Sequence, residues 1–125
     1  MLPPATQREI EVCLAKLFVD TSSSLVVVLS PTGQVLAWQG TGVYDALIRE
    51  QVSGQGPMLD PNVREHIVPP SAPTPVRPRE YGSWIAPDLF LWLLAGPATS
   101  VRLLQRRTPQ TAQEVRAVLR RAGVL

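Results

Sequence analysis

Two runs of this chain are apolar at every position: Leu25-Val26-Val27-Val28-Leu29 and Leu89-Phe90-Leu91-Trp92-Leu93-Leu94-Ala95. A strand with one wet face alternates apolar and polar residues, because successive side chains point to opposite sides of the sheet. Runs this short with no alternation read as strands covered on both faces. Both fall far short of the roughly 18 residues that cross a bilayer. The fold must therefore contain a sheet and must supply, or recruit, cover for each of its sides.

The flanking sequence offers that cover. Thr6-Gln7-Arg8-Glu9 has capping-box spacing, and Ile10, Cys13, Leu14, Leu17 and Phe18 follow on one helical stripe. This predicts a first helix over about 6–19, ended by Ser22-Ser23-Ser24. Pro31-Thr32-Gly33 is turn chemistry, so 24–39 reads as a β-hairpin whose second strand is Gln34–Gln39. After Gly40-Thr41-Gly42, the spacing of Tyr44, Leu47, Ile48 and Val52 predicts a short second helix over 42–53. Asp45 falls near its positive N-terminal end, and Gly54 and Gly56 stop it.

Eight of the thirteen prolines lie between 57 and 87, and Pro69-Pro70-Ser71-Ala72-Pro73-Thr74-Pro75 excludes helix or central strand. Residues 57–79 therefore read as a proline-rich insertion in a single domain spanning 1–125. Beyond it, Tyr81–Ala86 predicts a third strand, Pro87-Asp88 a turn, Leu89–Ala95 a fourth strand, and Ser100–Gln105 a fifth. Thr108-Pro109 reads as the opening of a last helix, with Thr111-Ala112-Gln113-Glu114 as a second capping box. Val115, Val118, Leu119 and Ala122 line one face of it, and Gly123 suits its C-terminal cap.

The predicted order is α-β-β-α-β-β-β-α, an α+β fold with a five-stranded antiparallel sheet and helices on both faces. The first and last helices cover one face. The short second helix is a thin lid for the other, which a second copy of the chain would complete.

Candidate chemistry is sparse. The single cysteine, Cys13, excludes an internal disulfide framework or a site built on several thiolates, and it falls on an apolar stripe. His66 is the sole histidine, so a two-histidine metal site cannot be assembled within one chain, and in a proline-rich segment it reads as a surface residue and not as the base of a catalytic triad. Phosphate-binding glycine motifs and carboxylate metal motifs are absent. The expectation is a protein that is not an enzyme and uses no cofactor and no metal. Met1-Leu2-Pro3-Pro4 leads into a charged helix and not into a signal-peptide pattern, which predicts a cytoplasmic protein without membrane insertion.

Charge is unevenly placed. Residues 101–125 carry six arginines against Glu114 alone, whereas residues 1–100 carry six basic and nine acidic side chains. A basic helix face can bind phosphates, but no aromatic residue interleaves with these arginines, so nucleic acid is not the expected partner. Trp38, Trp84 and Trp92 all fall on predicted strands and read as core or interface filler.

The segment Ser24-Leu25-Val26-Val27-Val28-Leu29-Ser30-Pro31-Thr32-Gly33-Gln34-Val35-Leu36-Ala37 is an apolar strand, a polar turn with glycine, and a strand ending in a small residue. The pattern recurs from Leu89 to Leu104, before an amphipathic C-terminal helix. In this the chain resembles the roadblock / dynein-light-chain family, particularly its bacterial members that partner small Ras-like GTPases. The resemblance implies a non-catalytic homodimer, joined edge to edge through the third strand and packed through the second helices. Its dimer face would bind and regulate a small Ras-like GTPase or scaffold a signalling complex. Carried over, the interface residues are Tyr44, Leu47, Ile48, Gln51 and Val52 on the second helix, with Tyr81, Ser83 and Ile85 on the third strand. Pro75 and Pro78 cannot donate to a strand ladder, which limits edge pairing to Tyr81–Ala86. A GAF- or PAS-like small-molecule sensor shares the strand–turn–strand opening and stands as the alternative, with a pocket between the sheet and the second helix.

Overall fold

The computed structural model describes residues 2–30, 35–42, 45, 46, 49, 80–96 and 98–125. Among these, the elements run α1 (Pro4–Asp20), β1 (Leu25–Leu29), β2 (Val35–Gly40), β3 (Glu80–Ala86), β4 (Leu89–Leu94) and α2 (Val101–Arg121). The proline-rich segment 57–79, His66 and the Pro31-Thr32-Gly33 turn lie outside the described residues. The sheet they form has four antiparallel strands in the order β2-β1-β4-β3. The two fully apolar runs are thus the two central strands, paired with each other from Leu25↔Leu94 to Leu29↔Phe90.

Alternation along the strands divides the core in two. Val26, Val28, Leu91 and Leu93 face α1 and α2 and pack with Ile10, Leu14, Leu17, Leu104, Val115 and Leu119. Leu25, Val27, Leu29, Val35, Phe90 and Trp92 form a separate cluster on the opposite face, with Trp38, Trp84 and Leu94 packed against it. Helices α1 and α2 therefore cover one face together, as the spacing predicted. Burying a side chain of this size contributes about 1.5–3 kcal/mol, and both faces of both central strands draw on it.

Two boundaries differ from expectation. Helix α1 begins at Pro4 with Pro3 as its N-cap and no side-chain cap; Thr6 is buried inside the helix, so the capping box is not used. Proline at the first helical position lacks an N–H that would have had no partner there, and its fixed φ starts the helix without a cap. The larger correction concerns Ser100–Gln105, which is not a fifth strand but the first turn of α2. Ser100 is its N-cap, its hydroxyl accepting from the Leu103 N–H at 3.1 Å. Thr108-Pro109 lies inside the helix and does not open it. An internal proline costs about 3 kcal/mol. Burial of Leu104, Ala112, Val115, Val118 and Leu119 along one stripe offsets that cost, while Pro109 itself sits on the exposed side.

Both helices end in the same way. After α1, the Ser23 N–H reaches the Phe18 carbonyl and the Ser22 N–H that of Val19. After α2, the Val124 N–H reaches Leu119 and the Gly123 N–H reaches Arg120. This double bond pattern requires a left-handed residue, supplied by Gly123 at φ 75° and, less comfortably, by Ser22 at φ 50°. The turn after α1 is then locked against the start of α2. Thr21 is fully buried and hydrogen-bonds through its hydroxyl to the Leu17 carbonyl and to Ser23, while Thr99 Oγ1 donates to the Thr21 carbonyl at 2.6 Å. The three serines are thus a helix-to-strand joint.

Gly96 closes that joint. A Cβ there would stand 2.7 Å from the Ser22 carbonyl oxygen, which is backbone and cannot swing away. Gly96→Ala is expected to destabilise the protein by about 1–3 kcal/mol in urea unfolding. Gly42→Ala, where a Cβ meets nothing within 4 Å, should stay within about 0.5 kcal/mol of the parent. Equal stability of the two variants would show that the close approach does not exist in solution.

Candidate protein-interaction edge

Among the described residues the strand order leaves β3 next to β4 only, at an edge of the sheet. Edge strands carry unpaired backbone groups that can pair with another chain unless something blunts them. Among the described residues β3 is blunted at one end. Its register with β4 slips between Trp84 and Ala86, so Ile85 is an extra, bulged residue. The Ile85 carbonyl oxygen is taken by Arg116 Nε of α2 at 2.5 Å. The opposite edge is built alike: the β1–β2 register slips between Val28 and Leu29, and Gln7 Nε2 of α1 donates to the Leu36 carbonyl at 2.9 Å.

The expected interface residues divide accordingly. Tyr81 and Ser83 are partly exposed on β3. Ile85 is completely buried, packed in the helix-covered core, and its carbonyl is occupied, so the bulge removes it from the free edge. Pairing along β3 is left to Glu80–Trp84. Tyr44, Leu47, Ile48, Gln51 and Val52 lie outside the described residues. Of the predicted second helix, Gly42, Asp45, Ala46 and Arg49 are described, all helical, and the Asp45 N–H reaches the Thr41 carbonyl at 2.9 Å.

Those residues bring a constellation that sequence spacing did not reveal. Trp38 Nε1 donates to Asp45 Oδ1 at 3.0 Å, and Arg49 Nε donates to Asp45 Oδ2 at 2.9 Å. The Arg49 guanidinium also lies over the Trp38 ring, 5.8 Å from its centroid. One carboxylate thus ties the start of this helix to the sheet face that carries the aromatic cluster. On the same face Trp84 of β3 meets Phe90 edge to face, with centroids 5.3 Å apart at 71°. The only advance signal was an acid in the first helical turn, seven residues after a strand tryptophan.

Arg49 and the Trp38 N–H hold the Asp45 carboxyl below its ordinary value near 3.8. A carboxylate depressed in the folded state stabilises it above the unfolded pKa, and the contribution disappears as pH falls through the folded value. Acid titration followed by tryptophan fluorescence should therefore show a transition below pH 3.8 that Asp45→Asn abolishes. Cys13 moves the other way. Burial, then Glu114, push its thiol up from 9.0, consistent with a packing role on α1. Alkylation at pH 8 should run slower in the native protein than in the urea-unfolded chain; equal rates would show the thiol to be freely accessible.

Among the described residues no three His, Cys, Asp or Glu side chains group as a metal site, and no helix is long and apolar enough to cross a membrane. No family model and no curated protein matches the sequence. Solved structures do. MglB of Myxococcus xanthus matches with a TM-score of 0.63 at 13% identity, covering 98% of this chain and 96% of that one. The gliding protein MglB of Thermus thermophilus matches with a TM-score of 0.65 at 12% identity over the same shares. A structure of MglB in a tetrameric arrangement matches at 0.64 and 13% identity, again over 98% and 96%. At these identities the likeness concerns the fold, and it extends over nearly the whole chain: the protein shares the α+β fold of these MglB structures.

Proposed function

We propose that the protein is a non-catalytic, homodimeric module that binds a small Ras-like GTPase and regulates its nucleotide cycle, or scaffolds a complex around it. The full-length match to MglB structures carries this reading. The β3 edge supports it, because Glu80–Trp84 is the stretch not blunted by the bulge and by Arg116. Two copies would pair antiparallel along that stretch, with Tyr81 and Ser83 at the junction. The second helices, through Tyr44, Leu47, Ile48, Gln51 and Val52, would then meet over the aromatic face. A GTPase seated on the joint surface would keep its own catalytic groups, and the module would act by positioning them.

The test combines two measurements. Light scattering at micromolar concentration should report a dimer, and Leu47→Glu with Ile48→Glu should convert it to a folded monomer by circular dichroism. Affinity capture from lysate, run with GDP and with a non-hydrolysable GTP analogue, should enrich a small GTPase in one nucleotide state. A monomeric parent, or no GTPase in either arm, overturns the proposal. A small molecule released on denaturation and seen by mass spectrometry would favour the GAF- or PAS-like sensor instead.

A further inference from the structure

The two helices that cover the sheet also present an outer surface, and its charges are sorted. α1 and α2 run antiparallel, with Glu9 opposite Arg121 at 3.1 Å and Asp20 opposite Arg107 at 2.9 Å. Both ion pairs lie across the seam between the helices and use up two of its acids. Glu114 and Cys13 lie along the same seam, close enough to interact electrostatically. The outward stripe of α2 carries Arg102, Arg106 and Arg120, and that of α1 carries Arg8 and Lys16, all exposed. Among the described residues none of these five forms an ion pair, and helical spacing places no acid within the outward stripe of α2; on α1, Glu9 and Asp20 flank Lys16 on the seam side, both turned to arginines of α2, and Glu11 follows Arg8 by one turn on the other side. Between Arg8 and Lys16, and one turn beyond, α1 exposes Val12 and Val19, seven residues apart, at 51% and 73%.

We infer that the outer α1–α2 surface is a docking face for an anionic phospholipid leaflet. Charge complementarity selects a dense layer of phosphates, to which arginines bind through charge-assisted hydrogen bonds. The exposed valines select a bilayer over nucleic acid: β-branched apolar side chains gain by entering the headgroup boundary and have no partner on a phosphodiester backbone. The outward stripes of the described helices carry no aromatic residue on which bases would stack. Binding would be peripheral and would leave the apolar stripes of both helices in the core. The surface lies on the far side of the sheet from Trp38 and Trp84, so it works or fails independently of the proposed partner face.

The experiment is vesicle flotation of the full chain with phosphatidylcholine alone and with about 30% phosphatidylserine added, at about 0.1 M and about 1 M salt. Binding is expected only to the anionic vesicles and only at low salt. Each basic side chain changes partitioning onto an anionic leaflet roughly fivefold, so Arg102→Gln, Arg106→Gln and Arg120→Gln together should weaken it on the order of a hundredfold. These are exposed positions, and circular dichroism of the triple variant should match the parent. Val12→Asp with Val19→Asp should weaken binding with the arginines intact. Equal binding by the triple variant, equal binding to both vesicle types, or tighter binding to a duplex oligonucleotide than to vesicles overturns the inference.

Discussion

β1 and β4 lie side by side at the centre of the sheet and are apolar on both faces, and the remaining elements are arranged by that pairing. Ten residues of these two strands meet in one uninterrupted register from Leu25↔Leu94 to Leu29↔Phe90. Neither strand offers water a polar side, so each face must be covered for the pair to be stable. The cover on the first face is α1 and α2, whose buried stripes interlock with Val26, Val28, Leu91 and Leu93. This is also why α2 continues through Pro109: ending the helix there would strip the sheet of Val115, Val118 and Leu119 to save the cost of one proline.

The same two helices regulate the sheet's edges. Each edge strand carries one extra residue, Leu36 near the start of β2 and Ile85 near the end of β3. A bulge turns a carbonyl out of the ladder, and each is met by a side chain from the helix above, Gln7 and Arg116 respectively. The arrangement satisfies a backbone acceptor and fixes each helix over its strand. It also shortens the usable edge of β3, which divides a buried Ile85 from an accessible Tyr81 and Ser83 on one seven-residue strand.

The central strands, both helix stripes apart from Ala122 (exposed as the C-cap of α2) and the Gly123 cap were readable because each depends on neighbours within one or two turns. The first turn of α2 was not. Ser100-Val101-Arg102-Leu103-Leu104 alternates well enough for a strand, and Thr108-Pro109 has the form of a helix start. What decides for helix is that Leu104, Thr108, Thr111 and Val115 all reach one buried stripe, which only the packed sheet makes worthwhile. The bulge carbonyls were unreadable for a related reason, since Gln7–Leu36 and Arg116–Ile85 are 29 and 31 residues apart. Ser22 shows the converse: glycine is the usual left-handed cap, and serine is held there with Gly96 packed against it and Thr99 bonded to the carbonyl of Thr21 before it.

The uneven charge along the chain acquires a structural meaning from this arrangement. Six arginines in residues 101–125 read in isolation as a basic tail. In the folded chain three of them have structural partners, Arg107 on Asp20, Arg116 on the β3 bulge and Arg121 on Glu9. These contacts hold α2 to α1 and to the sheet edge. Arg102, Arg106 and Arg120 remain exposed on the outward stripe, which carries no acid of α2. A solvated basic helix would gain from interspersed acids at i,i+4 spacing. The outward stripe of α2 gives up that stabilisation, and the positive field left there is what an anionic surface would meet first.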